Sequence, residues 1–163
     1  MRLYQAFATD LNHLLNDARA VRIIVSGYMP LSVEEIGSSG DGDRLVSLCQ
    51  YGEQNGDLMR DPDIVFLFHN LPDGAAAEPV SFRNDYQGIV QEVYRYDETG
   101  MRTQVVSSMK QELKEFARDW FTTLRDQGFF APTAVREILL RELIDPFRGH
   151  DLTRLCPREN REP

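Results

Sequence analysis

Residues 51–68 read YGEQNGDLMRDPDIVFLF, a stretch that joins thirteen mostly polar residues to an apolar run. From 64 to 68 every side chain is isoleucine, valine, phenylalanine or leucine. Both faces of a strand formed there would be apolar, which is typical of the middle of a sheet. We therefore place residues 64–69 in a central strand, with the polar residues 51–63 as a loop in front of it.

Short segments rich in β-branched and aromatic residues lie on both sides of this strand, separated by turn signals. They predict further strands at 21–28, 31–36, 44–50, 80–83, 89–96 and 101–106. Two connections are predicted as loops, GSSGDGD (37–43) and NLPDGAAAEP (70–79). Because no helical segment separates consecutive strands, the pattern predicts an antiparallel sheet.

Apolar residues at three- and four-residue steps predict three amphipathic helices. The first opens the chain, and the second carries a stripe of Met109, Leu113, Phe116, Trp120 and Leu124. Ser108 with Gln111 predicts a capping box before the second helix, and Gly128 predicts its end. The third helix is predicted at 133–144, before Pro146.

The predicted fold class is therefore α+β. We expect an antiparallel sheet of about five to seven strands, packed by an N-terminal helix and two C-terminal helices. Residues 1–145 are predicted to form a single α+β domain. Residues 146–163 are predicted to form a polar C-terminal tail that is partly disordered.

The chain is acidic, with 18 basic and 26 acidic residues and a formal charge of −8. This balance argues against nonspecific binding to nucleic acid or to an anionic membrane, which needs clustered Lys and Arg. The N-terminal segment lacks the apolar centre of a signal peptide, and no stretch reaches the roughly 18 apolar residues of a membrane span. Cys49 and Cys156 fit neither a disulfide framework nor a zinc site. We expect a cytoplasmic protein.

The polar stretch 51–63 is the first candidate site. Its spacing fits neither a calcium loop nor a phosphate-binding loop. Its carboxylates are ligands that Mg²⁺ or Mn²⁺ accepts, so one hypothesis is a metal-dependent enzyme acting on a nucleotide or nucleic acid. In that hypothesis Asp57, Asp61 and Asp63 bind the metal and Glu53 is the base. Two other interpretations are a solvated turn and a surface that contacts a partner.

A second polar segment, FRNDYQG (82–88), lies between two predicted strands and would be next to the first if those strands pair. The three histidines show neither metal-ligand spacing nor a nucleophile motif, so we assign no catalytic residue, metal or cofactor. Cys49 is predicted to be a small buried side chain. The candidate partner-binding residues are Tyr51, Glu53, Gln54, Asn55, Asp57, Arg60, Asp61, Asp63, Asn84 and Asp85.

Four segments carry a family resemblance: GYMPLSVEEIG (27–37), SLCQYGEQNGDLMRDPDIVF (47–66), PVSFRNDYQGIVQEV (79–93) and QELKEFARDWFTTLRDQGF (111–129). Together they resemble a family of small uncharacterised proteins encoded on bacterial phages, plasmids and integrative elements. The string YGEQNGDLMRDP is its hallmark segment. The resemblance covers about residues 21–129, and the chain departs from the family after Phe129.

That family has no assigned activity, so the resemblance identifies no catalytic residue in this chain. It only marks the hallmark segment as the stretch in which to look for functional residues. Together with the acidic charge and the missing catalytic motif, the resemblance predicts a non-enzymatic accessory protein of a mobile element that binds another macromolecule. We expect a protein partner, with no direct binding to nucleic acid. A narrower hypothesis is an acidic inhibitor of a host-defence complex, of the anti-CRISPR or anti-restriction type. A further alternative is a structural subunit of a larger assembly, with an exposed apolar patch on the last helix.

Overall fold

The computed structural model of the protein describes residues 2–39 and 43–139. Within these residues the chain is α+β, as predicted, with two helices and nine strands. The elements in chain order are α1 (Arg2–Leu15), β1 (Ala20–Ile24), β2 (Leu31–Ser38), β3 (Arg44–Gln54), β4 (Asp57–Leu71), β5 (Gly74–Asn84), β6 (Ile89–Glu92), β7 (Tyr94–Tyr96), β8 (Arg102–Val105), α2 (Ser107–Asp126) and β9 (Val135–Ile138).

In the described part of the chain, seven strands form one antiparallel sheet in the order β6-β5-β4-β3-β2-β1-β9. Strands β7 and β8 form a separate two-stranded sheet. From β1 to β6, strands that follow one another in the chain are neighbours in the sheet, as short connections favour. Residues 63–68 of β4 are all buried, so the prediction of a central strand is confirmed.

Helices α1 and α2 pack on the same face of the sheet, around an aromatic cluster. The Phe7 ring of α1 stacks on the Phe121 ring of α2, with 5.3 Å between ring centroids. The Phe66 ring of β4 contacts both, at 5.8 Å from Phe7 and 5.9 Å from Phe121. Because a buried phenylalanine contributes about 1.5–3 kcal/mol, this cluster attaches both helices to the sheet.

The prediction of a third helix at 133–144 is wrong where the structure tests it. Residues Val135–Ile138 form β9, which pairs with β1 at the edge of the sheet. The tetrapeptide VREI suits a strand as well as a helix, and pairing satisfies the backbone groups of β1. Residues 140–144 of the predicted helix and the predicted tail at 146–163 lie outside the described residues.

The limits of α2 differ from the prediction at one end. The residue before the helix is Val106, with no side-chain cap hydrogen bond, so the predicted capping box of Ser108 and Gln111 is wrong. At the other end Gly128 has φ +95°, and the Phe129 N–H donates to the Leu124 carbonyl at 3.1 Å, which confirms the predicted stop. No helix in the described residues has the length and apolar character needed to cross a membrane.

The predicted loop at 70–79 is mostly strand. β4 continues to Leu71 and β5 begins at Gly74, so a tight turn at Pro72 and Asp73 joins them. Ala76 and Ala77 are buried in β5, and β5 packs beside α1. Small side chains let a helix lie close to a strand, which explains an alanine-rich stretch that contains few of the usual strand-forming residues.

Candidate functional site

β3 and β4 continue beyond the rest of the sheet as a two-stranded hairpin, which we call the arm (residues 51–60). Pairing of β2 with β3 ends at Leu31 and Gln50, and pairing of β5 with β4 ends at Asp63 and Arg83. Within the arm the strands pair with each other from 51 and 60 to 54 and 57. The prediction that residues 51–63 form a loop is therefore wrong, because most of them are strand.

The tip of the arm is a two-residue turn. Asn55 has φ 54° and Gly56 has φ 85°, so both central residues lie in the left-handed region. This conformation is that of a type I′ turn, whose twist matches that of the two strands and for which Asn-Gly is the preferred pair. The predicted turn dipeptide is confirmed.

Asp85, in the turn between β5 and β6, holds the base of the arm. Its Oδ2 accepts hydrogen bonds from the Arg60 backbone N–H at 2.8 Å and from Arg60 Nε at 3.2 Å. Its Oδ1 accepts from Arg83 Nε at 2.9 Å, and its backbone N–H donates to the Arg60 carbonyl at 2.9 Å. Three hydrogen bonds with Asp85 thus fix the path of the chain at Arg60, and a fourth holds Arg83 to the same carboxylate.

The electrostatics of Asp85 favour its charged form. Burial alone would raise the pKa of this carboxyl group, because charge is poorly solvated there. The hydrogen bonds from the Arg60 backbone and from the Arg83 and Arg60 side chains outweigh that effect, and the pKa of Asp85 lies below its usual range.

Asn84 makes a second connection at the base of the arm. Its Nδ2 donates to Asp61 Oδ1 at 2.7 Å, and its Oδ1 accepts from the Gln87 backbone N–H at 3.1 Å. The amide therefore links β4 to the β5–β6 turn and closes that turn. The two polar segments at 51–63 and 82–88 do lie together, which the sequence had left open.

Tyr86 lies over the arm at Gly52. A Cβ atom at position 52 would collide with the Tyr86 hydroxyl oxygen and lie 3.1 Å from Met29 Sδ. The absence of a side chain at Gly52 therefore permits this close approach, and Tyr86 stays 43% exposed. Tyr86 extends the contact between the β5–β6 turn and the arm toward the tip.

The carboxylates proposed as metal ligands are separated. Asp63 is 2% exposed and accepts a hydrogen bond from Ser47 Oγ at 2.7 Å, and Asp61 accepts from Asn84. Glu53 and Asp57 are exposed near the tip of the arm. Among residues 2–39 and 43–139 there is no group of three or more His, Cys, Asp or Glu side chains placed to hold a metal ion.

The ten predicted site residues thus divide by position. Those at the tip are exposed: Glu53, Gln54, Asn55 and Asp57. Those at the base are buried or half-buried: Tyr51, Arg60, Asp61, Asp63, Asn84 and Asp85. The base residues whose contacts are given above connect parts of this chain, whereas the side chains at the tip are exposed.

Leu58 is the residue at the tip that sequence reasoning missed. It lies opposite Glu53 in the arm and is 67% exposed. Its signal in the sequence is the apolar pair Leu58 and Met59 inside a mostly polar string; Met59 is half-buried, whereas Leu58 is exposed. Protein interfaces combine an apolar centre with a polar rim, an arrangement that an exposed leucine among polar side chains resembles.

A cluster of ionisable groups around Glu78 was also missed. Glu78 is 4% exposed and accepts a hydrogen bond from the Tyr94 hydroxyl at 2.7 Å at Oε2. Lys110 Nζ lies 3.3 Å from Glu78 Oε1, and His69 Nε2 lies 3.7 Å from Oε2. These residues come from β4, β5, β7 and α2, and their spacing along the chain gives no sign that they meet.

A family model matches most of this chain. The family model described as Domain of unknown function (DUF6908) matches residues 2–130. The chain belongs to this family. No curated protein and no solved structure matches the chain. The DUF6908 match includes the arm and the β5–β6 turn, whereas β9 at Val135–Ile138 lies outside it.

Proposed function

We propose that this DUF6908 protein is a binding protein that contacts a protein partner through the tip of the arm. One observation carries the proposal: a 67% exposed leucine is presented at the end of a hairpin whose base is fixed by Asp85 and Asn84. Loops and hairpins held by a rigid scaffold are common places for binding residues.

The fixed base favours binding in energetic terms. A flexible loop loses conformational freedom when it binds, and that loss reduces affinity. The arm has its strands paired and its base bonded to the β5–β6 turn before any partner arrives. Burial of Leu58 in a partner's pocket would contribute about 1.5–3 kcal/mol, with less of it offset by ordering of the arm.

Charge at the tip indicates the kind of partner. Glu53 and Asp57 are exposed on either side of the turn, and the whole chain carries a formal charge of −8. A protein surface with a pocket for Leu58 and basic residues around it would complement this tip. Asp61, Asp63 and Asp85 accept hydrogen bonds within the chain, so they contribute less to such a contact.

The biological setting belongs to the same proposal. We propose an accessory protein of a mobile element, and in its narrower form an inhibitor of a host-defence complex whose basic surface receives the arm. Acidic proteins suit such surfaces because clustered Lys and Arg attract carboxylates as they attract phosphates.

The proposal is tested by comparing Leu58→Ser with the wild type. Tagged protein is captured with its partners from a bacterial lysate, with and without nuclease, and the partners are quantified by mass spectrometry. We expect a stoichiometric protein partner that resists nuclease, and Leu58→Ser to lower its recovery by about tenfold, the equivalent of 1.4 kcal/mol.

Val105→Ser is the matched control, because Val105 is also an exposed apolar strand residue, at 45%, but lies in β8. It should recover the partner as the wild type does. Equal recovery by wild type and Leu58→Ser, or a partner that nuclease removes, would contradict the proposal.

A further inference from the structure

Strand β9 occupies one edge of the main sheet, where it pairs with β1. The pairs run from Val21 with Ile138 to Ile24 with Val135, and the Leu139 N–H donates to the Ala20 carbonyl at 2.9 Å. Without β9, β1 would present a row of unpaired backbone donors and acceptors at this edge. Such an edge is a template for an added strand.

The side chains of β9 contribute little to holding it there. All four residues are exposed, with Val135 at 56% and Ile138 at 75%. The ion pair of Arg22 and Glu137, at 3.7 Å, joins two side chains that are themselves 43% and 49% exposed. Exposed ion pairs contribute little to stability, so β9 is held mainly by its short backbone ladder.

Arg136 is the exception among the β9 side chains. Its Nη2 donates to the carbonyls of Leu14 at 2.6 Å and Leu15 at 3.1 Å, which are the last residues of α1. The final carbonyls of a helix have no partner within the helix and carry the negative end of its dipole, so they favour a guanidinium group. The edge of β1 therefore lies next to a specific site for an arginine.

We propose that the β1 edge, together with the C-terminal end of α1, is a strand-docking site that β9 fills within the chain. We infer that the same site also binds an extended segment of a partner protein. The side chains of that segment follow the order found in β9: apolar, arginine, acidic, apolar. The arginine binds the α1 carbonyls, and the acidic residue pairs with Arg22. This site is separate from the arm, and its occupant β9 lies outside residues 2–130 of the family match.

The test uses a variant that opens the edge without changing β1. In antiparallel pairs, hydrogen-bonded positions alternate, and the bond from Leu139 to Ala20 places Glu137 at a bonded position and Ile138 at a non-bonded one. Glu137→Pro therefore removes a ladder hydrogen bond. Ile138→Pro is the matched control, because its N–H faces away from β1 and its side chain is largely exposed.

Each ¹⁵N-labelled full-length variant is titrated with a peptide of the sequence APTAVREIL, residues 131–139. Shifts of the β1 amide signals report binding. We expect Glu137→Pro to bind the peptide at least about tenfold more tightly than Ile138→Pro, because its internal competitor is weakened. A folded Glu137→Pro that binds the peptide no better than the control would overturn the proposal.

Arg136→Ala is a second, milder way to weaken the attachment of β9 to the β1 edge, because it removes the hydrogen bonds to the α1 carbonyls. It should also bind the peptide more tightly than the wild type, and a peptide with alanine in place of the arginine should bind more weakly to every variant. Equal binding of the two peptides would overturn the arginine site. A dimer formed by exchange of β9, seen by light scattering in the wild type, would overturn the assignment to a different protein partner.

Discussion

Among single residues, Asp85 has the largest part in holding the arm, because its carboxylate fixes both the backbone and the side chain of Arg60. It also orients Arg83, so three groups of the chain converge on it. Its partners lie two and twenty-five positions away in the sequence. A polar segment such as FRNDYQG could be predicted as a turn, but whether its one carboxylate, Asp85, reaches the arm depends on the pairing of β4 with β5.

Asp85→Asn should destabilise the protein at neutral pH. The change keeps the shape of the side chain but leaves only one acceptor oxygen, whereas Oδ1 of Asp85 accepts from Arg83 and Oδ2 from Arg60. The hydrogen bonds to one of the two arginines are therefore lost, and those to the other are no longer charge-assisted. We expect a loss of about 1–2 kcal/mol in the free energy of unfolding, measured by urea titration. Asp57→Asn at the exposed tip is the control and should change this free energy by less than about 0.5 kcal/mol.

The difference between Asp85→Asn and the wild type should depend on pH with a definite sign. Since the folded pKa of Asp85 is depressed, its contribution is complete above the unfolded pKa of about 3.9 and is lost as pH falls through the folded value. The two unfolding free energies should therefore be furthest apart from pH 5 upward and converge at more acid pH. A difference that does not change between about pH 6 and pH 3 would contradict this explanation.

Among the elements, the arm shows why residues 51–63, whose polar sequence predicts a loop, are mostly strand. A strand inside a sheet has at least one face against the core, and its alternating apolar residues are visible in the sequence. The arm extends past that core, so polar side chains are tolerated on both of its faces. Its turn was predictable from Asn55 and Gly56, because the conformation is local, whereas the length of its strands was not.

At β9 the sequence predicts a helix, but the structure has a strand. Residues 133–144 have apolar positions at helical spacing, and the sequence alone favours a helix there. In the fold, residues 135–138 meet the unpaired edge of β1, and tertiary pairing outweighs a local preference of a few tenths of a kcal/mol per residue. Helices α1 and α2 and the buried centre of β4 were predictable, because the helical periodicity of the first two and the continuous apolar run of the third are local patterns.

The start of α2 leads to a stabilising prediction. Val106 precedes the helix in an extended conformation and gives no side-chain acceptor to the first N–H groups of α2. Val106→Ser should supply that acceptor and raise the free energy of unfolding by about 0.5–1 kcal/mol. Val106→Ala, which removes the same methyl groups without adding a hydroxyl, is the control, measured by the same urea titration. A serine variant no more stable than the alanine variant would contradict the prediction.

At the scale of the whole molecule, the Glu78 cluster connects the two sheets and α2. Tyr94 of β7 donates to Glu78 of β5, and Lys110 of α2 pairs with the same carboxylate. Burial, followed by the hydrogen bond to Glu78 and the charge of Glu78, raises the pKa of the Tyr94 hydroxyl above its ordinary range. The neutral hydroxyl is thus the form that the fold stabilises.

Tyr94→Phe should lower the free energy of unfolding by about 1–3 kcal/mol at pH 8, since it leaves the buried Glu78 carboxylate without one donor. The contribution of Tyr94 is complete below the unfolded pKa of about 10 and is lost as pH rises toward the raised folded value. The wild type and Tyr94→Phe should therefore converge above about pH 10. Thermal unfolding followed by circular dichroism checks this, and a constant difference between pH 8 and pH 11 would contradict it.

The β5–β6 turn holds the arm in place through the hydrogen bonds between Asp85 and Arg60. Hydrogen exchange of the arm amides at residues 52–59, followed by NMR in the wild type and in Asp85→Asn, tests it most directly. We expect protected amides at the paired positions in the wild type and exchange about tenfold faster in Asp85→Asn, with the β2–β3 amides less affected. Arm amides that exchange at unprotected rates in the wild type, or that are unchanged in Asp85→Asn, would contradict it.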